Sequence, residues 1–144
     1  MRNAAIAFSL LLAACVNGPQ TTGDDEPTPY IVGSWKLTSV AGAPVLGGTN
    51  PTRTLTSDGH ANGNGGCNGF GGSYTRAGDT LTFSRMISTM MACTRPGFTS
   101  EQVMGQEHRF LSALNGQVRA SQSDMNMLVL TASSGEALRF ERAP

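Results

Sequence analysis

Cys67 and Cys93 stand 26 positions apart, and a bond between them would close most of the middle of the chain into one loop. Between them lie the rest of a Gly-rich tract running from Gly63 to Gly72, an alternating hairpin, and the run Thr89-Met90-Met91-Ala92. The one other cysteine, Cys15, sits at the end of an N-terminal signal, which leaves these two to pair with each other. We read them as one structural disulfide. Such a closure removes roughly 3.5 kcal/mol of denatured-state entropy in the chain-entropy description. That is a large share of the ~5–15 kcal/mol that holds a small domain together.

The disulfide needs an oxidising compartment, and the N-terminus supplies the reason to expect one. Met1-Arg2-Asn3 is a short basic start, and the apolar run Ala4 to Ala14 is well below the ~20 residues of a bilayer span. Residues 1–14 therefore read as an export signal. The junction Leu12-Ala13-Ala14-Cys15 resembles the bacterial lipoprotein signal, which implies cleavage before Cys15, lipidation of its thiol, and a membrane anchor. Residues 15–30 then form the lipidated cysteine and a Pro-rich tether, acidic at Asp24-Asp25-Glu26, too poor in apolar residues to order itself. Val16 after the cysteine, rather than Asp, points to the outer membrane of a Gram-negative cell, with the domain facing the periplasm.

The remainder, residues 31–142, reads as one domain. Its 144-residue parent chain is 39% hydrophobic with ten basic and ten acidic side chains, so no net field recruits nucleic acid. Ile31 to Val40 alternates Trp35 and Leu37 with Lys36 and Thr38, the period of a half-buried strand with Trp35 as core anchor. A short strand from Arg53 to Thr56 is centred on Leu55. Phe70–Tyr74 and Thr80–Phe83 flank Arg76-Ala77-Gly78-Asp79 as a hairpin, and Val118–Ser121, Met127–Thr131 and Ala137–Glu141 read as closing strands. Thr99-Ser100-Glu101-Gln102 is a capping box, and Val103, Phe110, Leu111 and Leu114 follow on one face of an amphipathic helix, with Gln102, Gln106 and Arg109 directed elsewhere. Asn115-Gly116 stops it. The fold class is α+β: an antiparallel, partly barrel-like sheet packed on one helix.

No reactive constellation accompanies this frame. The Gly-rich tract lacks the Lys of a phosphate loop, has Asn68 where a dinucleotide fingerprint needs its third Gly, and leads into a hairpin; it reads as a tight turn tucking Cys67 beside its partner. A redox pair prefers C-x-x-C, and His60 and His108 lack paired-ligand spacing for zinc. No G-x-S-x-G or H-E-x-x-H occurs. We expect no enzyme, cofactor or metal. Met86, Ile87, Met90 and Met91 read by default as core filling, with a groove-lining role for the methionines as the rival reading.

The order of these pieces resembles the META domain family, known from HslJ-type heat-inducible bacterial lipoproteins. The residues that carry the resemblance are Gly33-Ser34-Trp35, Gly66-Cys67-Asn68 with Phe70, Gly72 and Tyr74, and Gly78-Asp79-Thr80-Leu81-Thr82-Phe83. Thr89-Met90-Met91-Ala92-Cys93, the helix bearing Glu107, Phe110, Leu111 and Leu114, and Leu138-Arg139-Phe140-Glu141 complete it. It covers about Ile31 to Arg142. The resemblance implies an envelope role linked to stress or drug tolerance. We therefore expect an interaction module anchored to the membrane, with an apolar ligand or envelope protein held in a groove lined by Met90, Met91, Phe110 and Leu114. The alternative is a small protease inhibitor or assembly factor presenting Gly47–Pro51 or Arg95–Phe98 to a partner.

Overall fold

Alternating apolar residues become strands whose one face must be buried, and here eight of them bury it in a common interior. In the computed structural model, which describes residues 29–144, β1 (Gly33–Val40) places Trp35, Leu37 and Val40 inward. A two-residue strand, β2 (Ala43–Pro44), folds back on its end. Then come β3 (Thr52–Leu55), β4 (His60–Asn64), β5 (Gly69–Ala77), β6 (Thr80–Phe83) and the short β7 (Ile87–Ser88), which adds to β5. After helix α1 (Ser100–Ala113) follow β8 (Gly116–Asp124), β9 (Met127–Ala132) and β10 (Ala137–Arg142).

Each long strand pairs antiparallel with the next in the order β1-β3-β4-β5-β6-β8-β9-β10, and β10 returns to β1 with Leu37 opposite Phe140 and Val40 opposite Leu138. The sheet is thus a closed eight-stranded up-and-down barrel rather than a partly closed one. Closure gives each long strand a partner along both edges. Because neighbouring strands alternate in direction, the turns after β3, β5 and β8 lie at one end with Gly33 and Arg142. The turn after β4, the segment carrying α1, and the turn after β9 lie at the other.

The core is continuous inside this barrel. Trp35, Leu37, Leu55, Leu81, Leu128, Leu130, Leu138 and Phe140 are fully buried. Helix α1 covers one end: Phe110 meets Phe70 edge-on at 5.7 Å and Phe140 at 6.1 Å between ring centroids, and Leu114 is also buried. At the opposite end Trp35 Nε1 donates to the carbonyl of Ile31 at 2.8 Å, and the Tyr30 N–H and C=O both bond the Gln122 side chain.

Several expectations shift in detail. The first strand starts at Gly33, and the second runs Thr52–Leu55. The Gly-rich tract is not a single turn: Gly63 and Asn64 end β4, Gly69 to Gly72 open β5, and only Gly65 to Asn68 turn between them. Gln106 is buried rather than turned away, for it donates to Thr49 Oγ1 at 3.0 Å and accepts from the Leu46 N–H. The signal peptide, Cys15 and the tether up to residue 28 lie outside the described residues.

Candidate functional site

The turn Gly65–Asn68 has to give its backbone N–H groups a partner once α1 covers it, and Glu107 provides one. Its carboxylate accepts from the Cys67 N–H at 3.0 Å, the Asn68 N–H at 2.7 Å and the Asn68 side-chain amide at 2.6 Å, all in a buried setting. Charge-assisted bonds of this kind are about twice as strong as neutral ones. The close approach explains a glycine. A Cβ on Gly65 would stand 2.5 Å from Glu107 Cγ, so any side chain there displaces the carboxylate.

Asn68 carries the clamp one step further. Its Oδ1 accepts from the Met91 N–H at 2.6 Å and from Thr89 Oγ1 at 2.8 Å, and its Nδ2 donates to the Met91 carbonyl at 3.0 Å. The amide thus pairs with both backbone groups of Met91, as a neighbouring strand would. Two residues on, Cys93 is disulfide-bonded to Cys67. The chain at Met90-Met91 is therefore fixed on both sides, and its side chains point outward because the backbone is pinned.

Met90, Met91 and Ile87 are not core filling. Met90 is 96% exposed, Ile87 78% and Met91 57%, while only Met86 of this run packs against the core. The backbone on either side of Met90 is held, Thr89 N–H by the Gly69 carbonyl and Met91 by the Asn68 side chain, with these side chains on the outside. Between this ridge and α1 lies an open pocket of about 350 Å³, lined by Met90, Met91, Met104, His108 and Leu111 with Asn68 and Glu107 at its floor. Phe110 and Leu114 do not line it. They face the barrel interior, where Phe70 and Phe140 occupy the space against them.

The two loops expected to present to a partner are tied together. Arg95 donates to the Gly48 carbonyl at 3.1 Å and the Gly66 carbonyl at 2.7 Å, and Gln106 holds Leu46 and Thr49. His60 lies 3.8 Å from Asp58 at the far end of the barrel, both exposed, and His108 is exposed beside the pocket. Among the described residues no group of three or more His, Cys, Asp or Glu side chains comes together as a metal site.

One charged residue went unremarked in the sequence. Arg53 is fully buried in the barrel, with its guanidinium carbon 4.0 Å from the centre of the Phe83 ring. None of its three side-chain nitrogens has a hydrogen-bond partner among the described residues. Burial pushes its pKa down to about 9, still well above neutrality, so it is a cation at pH 7. The only available signal was that Arg53 shares the inward parity of Leu55 in Thr52-Arg53-Thr54-Leu55.

The described residues thus form a closed up-and-down barrel covered at one end by a single helix, with a disulfide-braced turn beneath it. The family model of the META domain matches residues 29–144, and the chain belongs to that family. Among solved structures it is similar to a protein from Burkholderia xenovorans determined by NMR, at 29% identity and a TM-score of 0.58 over 77% of this chain and 81% of that one. A second NMR structure aligns at 22% identity and a TM-score of 0.60, covering 78% and 90% of the two chains. A DUF4847 family protein from Bacteroides vulgatus ATCC 8482 aligns at 14% identity and a TM-score of 0.52, covering 79% and 94%. The last two share the fold alone. Comparison with curated protein sequences gives no match.

Proposed function

We propose that this chain is a non-enzymatic lipoprotein of the bacterial envelope, anchored through Cys15, that works by holding an envelope protein against the Met90–Met91 ridge. The observation that carries the reading is the conflict between chemistry and placement in that ridge. Large apolar side chains stand exposed, Met90 almost fully and Met91 by more than half, on a backbone that Asn68, Glu107 and the disulfide lock in place. An exposed apolar group kept rigid loses little entropy on docking, and methionine adapts to varied partner surfaces. A protein fits better than a small ligand. Met90 at the pocket wall is almost wholly exposed, and an open depression of about 350 Å³ lies near the lower limit for small-molecule sites.

A photo-crosslinking residue in place of Met90, in the exported lipidated protein, should form a discrete protein adduct in intact envelopes. Replacing Met91 by Ser should weaken it. Adducts confined to lipid, or none, would remove the reading. The second reading, a protease inhibitor or assembly factor that presents a loop, is favoured by the rigid tie between Arg95 and Gly48. Under that reading the same label at Asn50 captures the partner and the label at Met90 does not.

A further inference from the structure

The interior of the barrel holds a positive charge that no residue of the described chain answers. Asp58 is exposed beside the turn after β3, and Glu107 is committed to Cys67 and Asn68 at the opposite end. Phe83 covers one face of the Arg53 guanidinium. A cation over an aromatic ring is stabilised through that face, but the N–H groups lie in the guanidinium plane and gain nothing from the ring. A buried charge whose donors are all unmet is strongly unfavourable, and the planar fork is the geometry that grips a carboxylate or a small anion edge-on. An open pocket lies near it without reaching it. Tyr74, whose ring is 5.8 Å from that of Phe83, forms part of the wall of an open pocket of about 510 Å³ with Ile31, Gly59 and Arg76 at the end of the barrel away from α1.

We propose that Arg53 is an internal anion-binding site, taking a small monovalent anion of the halide or short-carboxylate class that reaches it past Tyr74. Several features bear on it together. The arginine is wholly buried, its pKa leaves it charged at neutral pH, and Phe83, which covers its face, stands beside Tyr74 at the pocket wall. Arg76, which also borders the pocket, is held by the carbonyls of Pro29 and Gly78 and adds positive potential at the mouth. Asp58 opposes it there, so the mouth favours small single charges over multivalent ones.

Trp35 is the sole tryptophan, is fully buried, and lies directly opposite Arg53 in the β1–β3 register. It reports on the site from within. Bromide or iodide should quench its emission saturably, and chloride or formate should relieve that quenching. Sodium gluconate at matched ionic strength should leave it unchanged. The Tm of the wild-type domain should be several degrees higher in chloride or formate than in gluconate, as expected for a ligand that binds only the native state. Both responses should vanish in Arg53→Met. Competition by chloride alone assigns a halide, and equal competition by formate and acetate assigns a carboxylate; either supports the site. A Tm indifferent to the anion, or quenching that rises linearly without saturation, overturns it and leaves the arginine hydrated by water alone. The wild-type salt series decides the matter even if Arg53→Met does not fold.

Discussion

Glu107 is the residue on which the candidate site turns, because one carboxylate satisfies two backbone amides and the side chain that pins Met91. Glu107→Ala leaves those buried donors unmet, and each costs about 1–3 kcal/mol. We expect urea unfolding to show a loss of about 2–4 kcal/mol. Faster amide exchange at Met91 should accompany it, while α1 stays protected. Gly65→Ala should reproduce part of this effect by pushing the carboxylate aside. Gly63→Ala should be worse, since its Cβ would lie 2.1 Å from the Thr52 carbonyl oxygen in the paired strand, where neither backbone can yield. The methionines are the contrasting case. Met90→Ser should change stability by no more than about 0.5 kcal/mol, and a larger loss would mean that the ridge packs against something after all.

The helix and the disulfide loop show how far the sequence could be followed. Thr99 accepts from the Gln102 N–H and Gln102 Oε1 accepts from the Thr99 N–H, the capping box expected from residue identity. Thr99→Ala should therefore cost about 1 kcal/mol, read from thermal unfolding. Cys67 and Cys93 are joined, the pairing expected from the sequence, and replacing both by Ser should cost roughly 3.5 kcal/mol. Strand alternation around Trp35, Leu128, Leu138 and Phe140 was equally plain, for it depends only on neighbours in sequence. What stayed hidden depends on distant partners. Gln106 and Glu107 occupy the stride between Val103 and Phe110, yet nothing local says that a turn some forty residues earlier needs a carboxylate there. Likewise Met90 and Met91 read as core until Asn68 is seen to hold their backbone. Arg53 has the parity of an interior residue and the chemistry of a surface one, and parity prevailed.

At the scale of the whole barrel, the last pairing joins β10 to β1, nearly the full length of the domain apart. Contacts of that separation form slowly. Removing residues 137–144 should leave two unpaired edges, and the truncated chain should fail to give a cooperative thermal transition by circular dichroism. The same pairing sets Pro29 and Tyr30 beside Arg76 and Gln122, at the end of the barrel remote from α1. The methionine ridge, held beside the turn Gly65–Asn68, therefore lies at the other end of the barrel from the point where the described chain begins. Whatever docks on that ridge meets it clear of the N-terminal entry, so lengthening the segment before residue 29 should leave its grip unaltered.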